Sequence, residues 1–187
     1  MSKSQKGFLF DQNFCIGCKA CEIACQVYHR QEELINWRHV DTFFYNDGNM
    51  EKEVYISNAC HHCEEPACVE VCPTSAYTKR DDGIVVLDRD KCISCGYCEE
   101  ACSYGAITLK GQDHKAQKCN MCAEKQDVGE LPACVAACPV DCLKLVDTRV
   151  SDAAGMSKTA VGFVPSKMKP SIRFYPKFRS GDYIKIN

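Results

Sequence analysis

No apolar run in this 187-residue chain is long enough to cross a bilayer. The longest aliphatic stretch, Ile84 to Leu87, falls far short of the roughly 20 residues that a membrane helix needs, so no direct membrane insertion is expected. The chain also lacks a G-x-G-x-x-G turn, a Walker-type loop and an H-E-x-x-H pair, which leaves nucleotide binding and independent catalysis without support. The polar N-terminus, Met1 to Gly7, has neither an apolar core nor a small-residue cleavage site, and no secretory signal is expected. Basic residues are dispersed and no recognition motif accompanies them, which argues against a nucleic-acid partner. Net charge is small, -2, but unevenly placed. Residues 151–187 carry seven Lys or Arg against Asp152 and Asp182, a net of +5, whereas residues 1–150 carry a net of -7. Such a tail can lie back on its own acidic body or on a partner.

What the chain has in excess is cysteine. Seventeen thiols, about nine per cent of the residues, mean either a disulfide scaffold or a metal protein. Sixteen of them fall in four blocks: Cys15, Cys18, Cys21, Cys25; then Cys60, Cys63, Cys68, Cys72; then Cys92, Cys95, Cys98, Cys102; and last Cys119, Cys122, Cys134, Cys138. In each, the fourth thiol follows the third after three intervening residues. In bacterial two-cluster ferredoxins the first three thiolates of a block hold one [4Fe-4S] cluster and the fourth reaches across to the other. Zinc is the competing use of Cys-x-x-Cys pairs, but it takes four ligands per ion and typically two separated pairs. Blocks two and three each put four cysteines within thirteen residues or fewer. With cluster spacing in every block, disulfides become the minor alternative.

Short β-prone runs surround the blocks. Ala76 to Lys79 and Ile84 to Leu87 flank an Asp-Gly turn signal within Arg80 to Gly83, a hairpin that brings blocks two and three face to face. A second hairpin is expected from Trp37–Tyr45 and Glu53–Ser57, joined by a segment opening with Asn46-Asp47-Gly48-Asn49. Trp37, Phe43, Phe44 and Tyr45 read as core or subunit-interface packing. Gln26 to Glu33 reads as a helical continuation after Cys25, and Gly17 allows close backbone approach in block one. Ala123 to Ala133, holding Gly129 and Pro132, predicts a loop or broken helix. Tyr104 to Leu109 and Leu143 to Val146 are expected strands. The segment after Val150, with Pro165, Pro170 and Pro176, reads as extended structure ordered by contact.

The order of these runs suggests a nested pairing. Phe8 to Phe10 enters block one and Leu143 to Val146 leaves block four; Tyr55 to Ser57 enters block two and Ala106 to Leu109 leaves block three. Each flanking pair is expected to close an antiparallel ladder around its own cluster pair. The fold class is then α+β, with two nested bacterial-ferredoxin-like domains. Residues 1–59 and 103–150 form the outer one, 60–102 the inner one, and 151–187 an extended basic tail suited to docking a partner. Cross-ligation predicts four [4Fe-4S] clusters: Cys15, Cys18, Cys21 with Cys138; Cys119, Cys122, Cys134 with Cys25; Cys60, Cys63, Cys68 with Cys102; and Cys92, Cys95, Cys98 with Cys72. Cys142 is left over and reads as a small buried thiol. His61 and His62 sit inside a Cys-x-x-Cys, but with a full thiolate set present they read as packing around the cluster.

Together these features resemble the four-cluster electron-transfer subunit of the dimethyl sulfoxide reductase family of molybdopterin oxidoreductases, over roughly residues 7 to 148. The resemblance is carried by Phe8, Asp11 and Gly17 around block one, by Cys60 to Pro73, by Lys79 to Asp88, by Cys92 to Cys102 with Tyr104-Gly105-Ala106, and by Lys118 to Pro139. It implies a non-catalytic subunit that wires a large molybdenum or tungsten catalytic subunit to a membrane quinone-reactive subunit or a soluble carrier. It also implies that the outer domain faces the catalytic subunit. Relatives such as nitrate reductase replace a block-three cysteine and hold a [3Fe-4S] cluster; this chain keeps Cys95, so four [4Fe-4S] clusters are implied. Other readings of the same pattern are a relay for a hydrogenase or formate dehydrogenase, or a maturation or scaffold protein with structural clusters. The expected location is the cytoplasm, or an exported position reached by folded co-export with a partner bearing a twin-arginine signal. One departure stands out: the family usually has proline after the last block-three cysteine, and here it is Ser103.

Overall fold

The structure is a computed structural model and describes residues 4–33, 35–46, 51–154, 156–177 and 182–186. Its strands are β1 (Lys6–Asp11), β2 (Arg38–Asn46), β3 (Glu51–Ala59), β4 (Tyr77–Lys79), β5 (Val85–Leu87), β6 (Leu143–Asp147), β7 (Ile172–Tyr175) and β8 (Asp182–Ile186). Its helices are α1 (Ala20–His29), α2 (Ala67–Glu70), α3 (Tyr97–Ala101), α4 (Ala123–Asp127), α5 (Ala133–Ala136) and α6 (Thr148–Ala153), with a 3₁₀ turn at Arg89–Lys91.

The ladder expected around the outer pair is present: β1 runs antiparallel to β6, with Phe8 opposite Leu145 and Phe10 opposite Leu143. Phe8, Leu9 and Phe10 are all buried, as a strand covered on both faces requires. The hairpin of β2 and β3 also forms, and is longer than expected, pairing Arg38 with Ala59 through Asn46 with Glu51. Along it Phe43, Val54 and Ile56 enter the core while Phe44 stays exposed, the alternation that pleating imposes. The proposed turn residues 47–49 lie outside the described residues, as does the Tyr45 side chain. The small hairpin of β4 and β5 closes with Gly83 N–H donating to the Arg80 carbonyl at 2.9 Å.

Three expectations are corrected. The ladder between Tyr55–Ser57 and Ala106–Leu109 does not form. β3 makes nine residue pairs with β2 at the outer edge of its sheet, and Tyr104 to Leu109 is no strand, only a bridge from Thr108 to Gln117. The helix after Cys25 stops at His29, where Arg30 turns left-handed at φ 47 and its N–H caps the Gln26 and Val27 carbonyls. The tail is not merely extended. α6 spans Val150, β7 adds to β1 in parallel to complete the sheet β6-β1-β7, and β8 adds to β2 to complete β3-β2-β8. The basic tail thus lies on its own body, the first of the two alternatives its charge left open. Between Ala123 and Ala133 the broken helix is found: α4, a turn through Gly129 at φ 81, then α5.

The main core gathers Phe8, Phe10, Phe43, Ile56, Ile172 and Phe174, so β1, the β2–β3 hairpin and the tail strand β7 share one apolar interior. Tyr77, Val85, Cys98, Ile107 and Ala116 form a second, smaller cluster inside residues 60–118.

Candidate metal centres

The four cysteine blocks share a backbone device. The residue just before the second cysteine has positive φ in every block: Gly17 at 68, His62 at 43, Ser94 at 60 and Met121 at 58. Three residues past the fourth cysteine the same happens at Ser75, Gly105 and Asp141. Left-handed turns of this kind gather successive N–H groups around a concave, anion-favouring surface. Several N–H groups already point at sulfur: Met121 to Cys119 at 3.3 Å, Ala76 to Cys72 at 3.3 Å, Ala106 to Cys102 at 3.5 Å, and Ala116 to Cys92 at 3.4 Å. Gln31 Nε2 donates to Cys25 Sγ at 3.3 Å. At Gly17 a Cβ would sit 2.5 Å from the Tyr55 ring. The residue that demands glycine there is therefore an aromatic neighbour, beyond any approach to a cluster.

Twelve of the sixteen thiols line three cavities in fours. Cys15, Cys18, Cys21 and Cys138 line one cavity, with Cys142 beside them. Cys60, Cys63, Cys68 and Cys102 line a second, and Cys72, Cys92, Cys95 and Cys98 a third. Cys25, Cys119, Cys122 and Cys134 are all buried, and Cys25 and Cys134 both act electrostatically on Cys119 and on Cys122. The helices explain the cross-over. α1 carries Cys21 to one set and Cys25 to the next and packs on α5, which holds Cys134; α2 and α3 pack together and carry Cys68 and Cys98, each just before a fourth cysteine.

The donor set suits an iron-sulfur group. All seventeen cysteines are free thiols, and soft thiolates select such clusters. Among the described residues no three His, Cys, Asp or Glu side chains close on a point fit for a single metal ion; the thiols stand apart around shared cavities. Burial pushes Cys25 and Cys122 up to about 11 and Cys63 and Cys68 up to about 12. In the bare protein these thiols keep their protons at neutral pH, so loading must release them. Cys18 and Cys95 are exposed, whereas every thiol of the Cys25 set is buried.

His61 and His62 are both buried, at 3 % and 0 % exposure. His62 Nδ1 accepts from Val85 N–H at 3.0 Å, and His61 meets Tyr104 and Phe163 edge-on. Burial holds both imidazoles neutral, His61 at about 3. The His62 carbonyl accepts from Gln5 and Ser171, which ties the N-terminal segment and the tail to block two. Cys142 is buried, 3.5 Å from Cys138 Sγ. Trp37 packs on His29, whose Nε2 lies 3.3 Å from Cys122 Sγ. Sequence reading missed Arg38 and gave Lys118 no role beyond its place in the motif; both are buried cations near the thiols. Lys118 Nζ donates to the Val85 and Cys119 carbonyls. Their only sequence signal is a charge in a β-prone run, for Arg38, or beside a cysteine, for Lys118.

Two four-iron, four-sulfur dicluster models match the chain, one over residues 51–148 and one over residues 14–76. It belongs to the 4Fe-4S dicluster family and carries 4Fe-4S clusters. It is 38 % identical over 148 residues to one of the chains of the anaerobic dimethyl sulfoxide reductase of Escherichia coli, covering 75 % of this chain and 72 % of that one. It is 38 % identical over 144 residues to the thiosulfate reductase electron transfer subunit of Salmonella typhi, covering 75 % of each. Against one of the subunits of the sulfite dehydrogenase of Allochromatium vinosum it is 36 % identical over 160 residues, 74 % of this chain and 67 % of that one. Within the family the protein is thus an iron-sulfur electron-transfer subunit of a molybdopterin oxidoreductase, not the catalytic subunit.

Proposed function

We propose that the chain holds four [4Fe-4S] clusters and relays electrons between a large molybdenum- or tungsten-pterin catalytic subunit and a membrane quinone-reactive subunit or a soluble carrier. The observation that supports this reading most is the placing of twelve thiols, four by four, around three cavities, with the remaining four of the blocks buried. The ligand sets are Cys15, Cys18, Cys21, Cys138; Cys25, Cys119, Cys122, Cys134; Cys60, Cys63, Cys68, Cys102; and Cys72, Cys92, Cys95, Cys98. Bound clusters supply one-electron exchange at potentials that burial and hydrogen bonds set.

The chain's own residues supply the order and the two ends. The first and second sets share α1. The second meets the third where Cys119, Cys60 and Ala59 share an apolar cluster. The third and fourth share the paired α2 and α3. At one end exposed Cys18 has exposed Phe14, Ile16 and Ile23 near it in sequence; at the other, exposed Cys95 stands between exposed Ile93 and Tyr97. Apolar rims of this kind suit partner docking. In this reading the end at Cys18 meets the catalytic subunit and the end at Cys95 meets the electron carrier. Relatives named for a sulfoxide, thiosulfate and sulfite enzyme stand at nearly equal identity to this chain, which supports leaving the choice of substrate to the catalytic partner. We place the complex in the cytoplasm, or outside it after folded co-export.

The test is an elemental analysis of the complex purified anaerobically from its host. About sixteen or more irons per copy of this chain, together with molybdenum or tungsten, is the expected result. Nickel would transfer the chain to a hydrogenase, and iron alone would withdraw the catalytic partner.

A further inference from the structure

Arg38 opens β2 with 1 % of its surface exposed. Arginine stays charged at any physiological pH, and a buried charge with no counterion is costly. Yet among the described residues its guanidinium hydrogen bonds go only to Ser57: NH1 donates to the Ser57 hydroxyl at 2.9 Å and to the Ser57 carbonyl at 3.3 Å. Its Nε and NH2 have no partner, and its Cζ lies 4.5 Å from the centre of the Phe8 ring. The nearby groups whose negative charge would offset its burial, once they are deprotonated as ligands, are Cys134, Cys119, Cys21 and Cys25, which belong to the first two cysteine sets.

Ser57 links this cation to one sulfur. Its Oγ lies 3.3 Å from Cys21 Sγ. A hydroxyl has one proton, and here its oxygen already accepts from Arg38. Once Cys21 is a deprotonated ligand, the Ser57 proton can only be given to that sulfur. The result is a chain of two hydrogen bonds, from guanidinium to hydroxyl to thiolate, in which the charge strengthens the outer bond.

We infer that Arg38 is the built-in countercharge of the first two cysteine sets, and that Ser57 delivers its influence to Cys21, so that the pair raises the potential of the clusters held there. This rests on the ligand sets proposed above. The sign follows from charge: reduction adds an electron to an already negative cluster, and a cation or a hydrogen-bond donor favours the more negative form. Arg38 and Ser57 are positioning residues, since neither is itself a ligand.

The experiment is a redox titration followed by EPR on the intact complex, with iron and labile sulfide measured on each preparation. Ser57→Ala removes one hydroxyl and little volume; one cluster is expected to move to lower potential while the clusters of the third and fourth sets stay unmoved. Arg38→Gln is expected to lower two. Arg38→Lys, which keeps the charge but not the fork, should fall between wild type and Arg38→Gln. A purely structural Arg38 predicts cluster loss without any shift. Ser57→Ala at full iron content with unmoved potentials overturns the inference, even if Arg38→Gln fails to assemble. Cys21→Ser separates the two layers of the argument. If the signal that moves in Ser57→Ala survives unchanged in Cys21→Ser, the ligand assignment itself fails, and this inference with it.

Discussion

A single exposed residue, Ser103, separates the Cys102 turn from the proline usual in the family the sequence resembles. Proline has no N–H, so serine restores a possible donor beside the cluster that we assign to Cys102. Ser103→Pro is expected to lower that cluster's midpoint potential, and redox-titrated EPR showing no movement would remove the idea. Elsewhere a side-chain pair acts on stability alone. Arg173 is buried, and its guanidinium donates to both Asp152 oxygens, NH2 to Oδ2 at 2.9 Å. The Arg173 bond, helped by Lys158, holds the Asp152 carboxyl below its usual range. Asp152→Asn leaves a buried guanidinium short of its anion and should cost about 1–3 kcal/mol, read by denaturant unfolding. A depressed carboxyl contributes its stability above the unfolded value of about 3.9 and loses it as pH falls through the folded value. The gap between wild type and Asp152→Asn should therefore hold at neutral pH and close below about pH 4.

At the scale of elements, the feature least expected from the sequence is the parallel seating of β7 on β1. Gly7 makes it possible, because a Cβ there would sit 2.1 Å from the Ser171 carbonyl oxygen. Behind it Ile172 and Phe174 are buried at 1 % and 0 % exposure. Phe174→Ala should cost about 3–5 kcal/mol, and Gly7→Ala should unseat the strand. Both variants are expected to yield complex with less iron, since β1 leads directly into block one. Full iron loading and an unchanged melting curve in either would show that β7 is dispensable. For the same reason, deleting residues 151–187 removes a strand from each of two sheets, and lost assembly after that deletion cannot by itself be read as lost docking.

For the whole molecule, the asymmetry of exposure matters most: one thiol set wholly buried, and one exposed cysteine near each end. Ile93→Glu at the Cys95 end is expected to leave binding of the catalytic subunit intact but to abolish turnover with the native electron donor, while turnover with a small dye that reduces the catalytic subunit directly persists. Ile16→Glu at the other end should weaken copurification with the catalytic subunit. Equal native turnover in Ile93→Glu would detach that rim from partner docking.

Much of the local order was legible from neighbours in the chain, though not the end of α1 at His29 or the lack of a strand at Tyr104 to Leu109. The two hairpins, the strand before block one, the strand after block four and the broken helix in block four all follow from turn residues and alternation, and they appear where the sequence puts them. For three of the four sets, the thiols that cross-ligation between blocks groups together line one cavity each. What only the tertiary structure decided is who covers whom. β3 pairs with β2 at the outer edge of its sheet, and among the described residues the segment after Cys102 bridges to Gln117 instead of adding to β3. The tail becomes the third strand of the β1 sheet because Ile172 and Phe174 carry enough apolar surface to be drawn onto β1, a contact over more than 160 residues that no local pattern announces. Arg38 was invisible for the same reason: its meaning depends on Ser57, Phe8 and two sets of thiols that meet only in the folded chain.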